Sequence, residues 1–261
     1  MTDLHADTSG SGRTAVLLHG QPGGRRDWDP VVDRLDGRVR AVVPDRLGYG
    51  ATGGGAGGFG ANADAVVGLL DRAGVQDAVV SAHSWAGGVA LDLAVRYPQR
   101  VGALVLVGAV GGQGSVAWLD RVLATPLAGD ALALGGLTAI GVRPLRKILA
   151  PTAGDAIEGE PWWRRWRSFM TEQRAMLREL PAIAARLGDV RAPAIVVVGE
   201  GDRIVRPSSQ EALAAAIGAE VVRVPGAGHL LPRERPDAVA DAIVRAAGLA
   251  PPGAAGAIIG A

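Results

Sequence analysis

An α/β fold, a mostly parallel sheet covered by helices on both faces, is what this 261-residue chain predicts. Two observations carry it. Short Val- and Leu-rich apolar runs alternate with longer helical patterns, as buried parallel strands and their crossover helices require. The alternation breaks once, between about residues 113 and 187, where runs of β-branched residues stop and the pattern is helical, punctuated by Pro126, Pro144, Pro151, Pro161 and Pro181.

Taken in order, strands are expected at 14–18, 38–43, 77–82, 101–107, 194–199 and 220–224, all parallel, with surface helices at 62–73, 85–97, 208–217 and 236–247. Pro207 and Pro236 stand near the starts of the last two helices, where a missing N–H costs nothing. The division that follows is a core of 1–112 and 188–248, a helical insertion at 113–187 serving as a lid, and a flexible tail at 249–261. Because the insertion leaves after one strand and returns before another, it is expected over the carboxyl ends of the strands, the edge at which open α/β sheets bind ligands. The Gly-rich run 53–60 reads as a flexible loop.

Composition narrows the function. With 27 Lys and Arg against 26 Asp and Glu, the net charge of +1 lacks the basic footprint of a nucleic-acid binder. Cysteine is absent, which removes a disulfide framework, a thiolate metal site and a Cys nucleophile. No cofactor or metal is expected. Residues 1–12 carry Asp3, His5 and Asp7 with neither a basic start nor an apolar block, so they do not read as a secretory signal and a cytoplasmic location is expected. The uncharged stretch 101–119 has the length of a membrane span, but its glycines, Gln113 and Ser115 favour a buried strand running into a loop, without stable membrane insertion.

The chemistry begins at Ala82-His83-Ser84-Trp85-Ala86, where a strand passes into a helix. A serine there is either an ordinary helix N-cap or a nucleophile elbow, whose tight turn requires small residues two before and two after the serine. Both neighbours are alanine, the smallest residue that keeps a Cβ. A nucleophilic serine needs a base, an acid to orient it and donors for the oxyanion. Strand 194–199 runs into Glu200-Gly201-Asp202, and strand 220–224 into Pro225-Gly226-Ala227-Gly228-His229. Parallel strands bring all three ends to one edge, so Ser84, Asp202 and His229 are the candidate triad, with Glu200 as the substitute acid.

The other histidines fit less well. His5 is terminal, His19 suits a structural hydrogen bond, and strand alternation should turn the His83 side chain away from Ser84. Backbone N–H groups of Trp85 and Gln21 are the candidate oxyanion hole. Pro22 beside Gln21 lacks an N–H, and Gly23 and Gly24 let the loop turn away.

With His19-Gly20-Gln21-Pro22-Gly23, Pro44-Asp45-Arg46-Leu47-Gly48-Tyr49-Gly50, the elbow, Gly199-Glu200-Gly201-Asp202 and Gly228-His229 in place, the chain resembles the α/β-hydrolase fold superfamily, in its serine-dependent esterase and epoxide-hydrolase-like branch, over about residues 4–248. The resemblance implies a structural role for Asp45. It also argues against epoxide opening and halide displacement, since relatives with those activities carry Asp where this chain has Ser84. Both elbow glycines of the usual pattern are alanine, and the segment before Thr14 leaves space for one edge strand, at 4–7.

In the insertion, Trp162, Trp166, Phe169, Met176, Leu177 and Leu180 recur near helical spacing. They read as the stripe by which a lid helix packs on the sheet domain. In the sharper alternative Trp162, Trp163 and Trp166 line an apolar substrate pocket, and a basic, Trp-bearing helix could also rest on a membrane surface. The function expected first is cleavage of a carboxylic ester through an acyl-enzyme, with a small apolar or secondary-metabolite-like substrate as partner. The alternatives are a triad-bearing C–C hydrolase, thioesterase or cyclase, and a non-catalytic binding protein on the same fold.

Overall fold

A computed structural model describes residues 3–127, 129–131 and 162–249. Seven strands form one sheet: β1 (Ala6–Ser9), β2 (Thr14–Leu18), β3 (Arg40–Pro44), β4 (Ala78–His83), β5 (Val101–Val107), β6 (Ala194–Gly199) and β7 (Glu220–Val224). Their order is β1-β3-β2-β4-β5-β6-β7. Only β1 runs antiparallel, pairing Ala6 with Pro44 and Ser9 with Ala41 on β3. The expected edge strand therefore exists, two residues later than the sequence suggested.

Helices α1 (Asp29–Leu35), α2 (Phe59–Arg72), α3 (Ala86–Arg96), α6 (Pro207–Ile217) and α7 (Pro236–Leu249) flank the sheet. Alternate residues of each strand serve opposite faces. Val16, Leu18, Val80, Ala82, Leu104 and Leu106 pack with Phe59, Leu93 and Leu213 on one side, while Leu17, Val79, Val105 and Val107 pack with Trp28, Val31, Val239 and Ile243 on the other. Helix α1 was not expected from the sequence. Its two buried apolar residues, Val31 and Leu35, stand four apart, too little periodicity to read in seven residues.

Between β5 and β6 the described chain is helical, with α4 (Trp118–Ala124) and the long α5 (Trp162–Ala184). Helix α5 sends Met176, Leu180 and Ile183 into the core of the sheet domain. Its outer half packs Met170, Trp166 and Phe169 with Leu123 of α4. Residues 101–119 form β5, the loop that follows and the start of α4, and among the described residues no helix is long and apolar enough to cross a membrane. Of the expected tail, Leu249 closes α7, and the remainder lies outside the described residues.

Candidate active site

Ser84 occupies the turn between β4 and α3 with φ of 55°, a left-handed conformation that costs a residue with a Cβ roughly 1–2 kcal/mol. The turn is held at both ends. Its N–H donates to the Val107 carbonyl (3.0 Å), and its own carbonyl accepts from the N–H groups of Gly87 and Val110, both at 2.9 Å. Ala82 and Ala86 are fully buried, so the small-residue rule is met by alanine. Behind them space is tighter still, for a Cβ on Gly87 would lie 2.5 Å from the Val110 oxygen.

The carboxyl ends of β4, β6 and β7 bring the three candidates together. His229 Nε2 is 2.8 Å from Ser84 Oγ, and His229 Nδ1 is 2.8 Å from Asp202 Oδ2. An ionised carboxylate only accepts, which puts the imidazole proton on Nδ1 and leaves Nε2 to accept from the serine. Asp202 also accepts the N–H groups of Ile204 (2.8 Å) and Val205 (3.0 Å) on Oδ1, and the Gln210 side-chain amide (3.1 Å) on Oδ2. The loop bearing His229 has its own clamp: Glu234 accepts from the N–H groups on either side of His229, those of Gly228 (2.5 Å) and Leu230 (3.2 Å).

His83 departs from expectation. Its Nε2 donates to the His229 carbonyl (2.8 Å), and the two rings lie 5.1 Å apart. Strand alternation does not apply because β4 ends at His83 and the chain turns into the left-handed region at Ser84. Burial, and next the neighbouring imidazole of His229, push His83 down to about 3, so it is a neutral donor. His19 is structural, as expected: Nε2 accepts the Arg46 N–H (3.0 Å) and Nδ1 donates to the Gly20 carbonyl (2.9 Å). Burial, then the Arg46 charge, hold it well below the ordinary imidazole value. Asp45, fully buried, is occupied by Arg25 and by the Ala51 N–H and lies away from the cavity.

Gln21 and Trp85 border the same cavity as Ser84 and His229. Among the described residues neither backbone N–H has a hydrogen-bond partner. The orientation of each follows from peptide planarity, since the carbonyl and N–H of a trans unit point in opposite directions. The Gly20 carbonyl is turned inward by the Arg46 guanidinium (2.8 Å) and His19, so the Gln21 N–H faces away from Arg46. The Ser84 carbonyl is turned into α3, which directs the Trp85 N–H the other way. Close approach of the two loops needs Gly20, where a Cβ would sit 2.8 Å from His83 Nδ1. Gln21 joins Pro22 by a cis peptide bond.

The cavity, about 210 Å³, is walled by Val110, Leu123, Trp166, Phe169 and Met176 on the insertion side, with Arg165, Arg203 and Arg233 among its polar groups. Of the three candidate tryptophans, Trp166 lines it. Trp163 does not: it stands almost one helical turn, about 4.5 Å, nearer the start of α5 than Trp166 and is 45% exposed there. The side chain of Trp162 lies outside the described residues. Asp120, from α4, reaches the cavity with its carboxyl raised by burial and accepts from Gln173 of α5 (2.9 Å).

Sequence reasoning missed Glu172, whose buried carboxylate pairs with buried Arg46 and accepts the Tyr49 hydroxyl (2.7 Å). Burial raises it from the ordinary carboxylate value, with Arg46 and Tyr49 pulling the other way. A signal was available, for an acid three residues after Phe169 and four before Met176 stands on the apolar stripe. Gln210, one turn into α6, and Glu234, just after His229, carry no comparable mark.

The model of the alpha/beta hydrolase family matches residues 15–242. Among curated proteins the chain is 28% identical, over 77% of its length and 75% of the other, to a 2-hydroxy-6-oxononadienedioate/2-hydroxy-6-oxononatrienedioate hydrolase of Paraburkholderia phymatum. It is 26% identical, over 77% of its length and 76% of the other, to a 2-hydroxy-6-oxo-6-phenylhexa-2,4-dienoate hydrolase of Comamonas testosteroni. A thermophilic esterase from Thermogutta terrifontis superposes with a TM-score of 0.73 at 26% identity, covering 93% of this chain and 92% of that one.

Proposed function

The chain belongs to the alpha/beta hydrolase family, and within it we propose that Ser84, His229 and Asp202 form the catalytic triad of a hydrolase acting on small molecules. The observation that carries this is the unbroken relay of two 2.8 Å contacts from Ser84 through His229 to Asp202, at the mouth of an apolar cavity. Ser84 Oγ attacks a carbonyl carbon while its proton passes to His229 Nε2, and Asp202 keeps the imidazole in the accepting tautomer. Charge gathering on the carbonyl oxygen meets the N–H groups of Gln21 and Trp85. Collapse expels the leaving group, which takes the proton from His229, and water then repeats the cycle on the acyl-enzyme. Residues 113–187 act as the lid of a core formed by 1–112 and 188–248, and Trp166 supplies apolar contact to the substrate.

For the bond broken, the reading we favour is C–C cleavage of an oxo-dienoate acid, the second of the activities considered from sequence. Two relatives named for such substrates, aligned over three-quarters of their length, support it. The cavity is consistent with an anionic acid, its wall holding Arg165, Arg203 and Arg233 against Asp27 and Asp120. In this reaction the dienol must first ketonise, taking a proton at C5 and losing its 2-hydroxyl proton; the sp3 C5 that then leaves Ser84's tetrahedral adduct departs as an allylic carbanion, its electron pair delocalised into the unsaturated 2-oxo acid as a dienolate before protonation. Ester cleavage is the second reading, supported by the esterase neighbour, and it uses the same groups with an alkoxide leaving.

Both are tested by comparing kcat/KM on 2-hydroxy-6-oxo-6-phenylhexa-2,4-dienoate with that on p-nitrophenyl esters. A preference for the dienoate is expected, and the opposite preference establishes the ester reading. Ser84→Ala should lose about 10⁴- to 10⁶-fold in kcat on either substrate while keeping its fold. Near wild-type turnover by that variant removes Ser84 from the mechanism, whereas a wild type that neither turns over either substrate nor is labelled by a fluorophosphonate is a binding protein.

A further inference from the structure

We propose that helix α5 is a positioning element for the oxyanion hole as well as a wall of the cavity. This rests on the reading above, in which Gln21 and Trp85 donate their backbone N–H groups to the reacting oxygen. Both residues use their side chains to grip the same helix. The Gln21 amide donates to the Phe169 carbonyl at 2.8 Å, and the Trp85 indole N–H donates to the Glu172 carbonyl at 3.2 Å. The two acceptors stand three residues apart, about 4.5 Å along the axis of one rigid helix.

A third tie runs through side chains. Glu172 pairs with Arg46, and Arg46 donates to the carbonyls of His19 and Gly20, both at 2.8 Å. The Gly20 carbonyl belongs to the same peptide plane as the Gln21 N–H, so Arg46 fixes the plane whose other edge is an oxyanion donor. The Arg46 guanidinium also lies over the Trp85 ring, 4.5 Å from its centre. The loop after β2 and the elbow after β4 thus reach a common frame supplied by a segment more than eighty residues further along the chain.

Ordinary packing would not require this arrangement. A lid that only covered a cavity would meet the core through apolar side chains, as Met176 and Leu180 do. Here the only two residues proposed as oxyanion donors each spend a polar side chain on a main-chain oxygen of α5. Fixing both donors before the charge develops stabilises the transition state more than the bound substrate, so loss of the frame should appear in kcat.

The test uses Trp85→Phe and Gln21→Met in the full-length protein, which delete the side-chain donors and keep both backbone N–H groups, the second at similar volume. Each is measured for kcat and KM on the better of the two substrates above, and for inhibition by phenylboronic acid, whose serine adduct is tetrahedral and anionic. The expected result is a fall in kcat of about tenfold, with an equal weakening of boronate inhibition and KM within about twofold, since a displaced donor costs less than the 10²- to 10³-fold of a deleted one. Glu172→Gln, which weakens the Arg46 tie without touching the cavity, should move kcat and boronate affinity together in the same direction and keeps the test open if Trp85→Phe does not fold.

Folded variants with wild-type kcat and boronate affinity, or with KM alone altered, overturn the proposal and leave α5 a wall. A wild-type enzyme that binds no boronate and keeps its turnover in Ser84→Ala overturns the serine mechanism itself, and the inference with it.

Discussion

Apart from the His83 and Ser84 contacts of His229, the loops carrying Asp202 and His229 are held from nearby in the chain. Ile204, Val205 and Gln210 donate to Asp202 from two, three and eight residues away, and Glu234 clasps the His229 loop from within six. Gln21 and Trp85 are held across the chain, through contacts spanning 148 and 87 residues, with an Arg46–Glu172 pair spanning 126 beneath them. The first arrangement comes with the loop that carries the motif, whereas the second exists only when two distant segments have docked. On the proposed reading, the loops of the acid and the base are braced mainly from nearby in the chain, while the placement of the two N–H donors rests on the docked helix α5.

The comparison breaks if the two sides fail in the same way. Asp202→Asn should lower kcat about 10⁴-fold, because the amide no longer selects the accepting tautomer of His229, with little change in unfolding by urea. Arg46→Met should instead cost about 3–5 kcal/mol of stability by leaving the Glu172 carboxylate buried without its cation, and the double change Arg46→Met with Glu172→Leu should recover most of it. Urea midpoints with unchanged slopes would measure both. A double variant as unstable as the single one would mean that the pair is not the source of the loss.

A second prediction concerns acid. His83 is neutral in the fold and held down to about 3, so between the ordinary imidazole value and that point the unfolded chain binds the extra proton. Stability must then fall as pH is lowered from about 6.5 toward 3, by an amount on the order of a few kcal/mol, and level off below. Burial of His19 acts in the same direction. His83→Gln keeps a donor for the His229 carbonyl and should flatten this part of the profile; an unchanged slope would assign the acid sensitivity elsewhere.

The smallest effects should separate the tryptophans. Trp166→Ala removes cavity wall and should raise KM by the equivalent of about 1–3 kcal/mol with kcat less affected. Trp163→Ala, at a surface position, should stay within about 0.5 kcal/mol of wild type in both binding and stability. Equal effects at the two positions would contradict the difference in exposure and cavity lining that separates them.

The strands at 14–18, 101–107, 194–199 and 220–224 were legible to the residue, because a β-rich apolar run bounded by turn residues is a local signal. So were Ser84, Asp202 and His229 as a candidate set, since parallel strands leave their carboxyl ends on one edge whatever the helices do. The elbow was legible for a stereochemical reason: a left-handed serine between two packed elements tolerates only small neighbours, and Ala82 and Ala86 satisfy this. The sequence by itself thus determined the sheet and the edge of it to which the candidate residues come. Tertiary structure alone decided that Glu172 meets Arg46, that Gln21 and Trp85 reach α5, that His83 turns onto His229 and that Trp163 faces solvent. The His83 contact depends on how the loop after β7 meets the end of β4; the others depend on how a long helix docks, and docking is set by the summed fit of Met176, Leu180 and Ile183 against a core assembled from the rest of the chain, which no window of sequence contains.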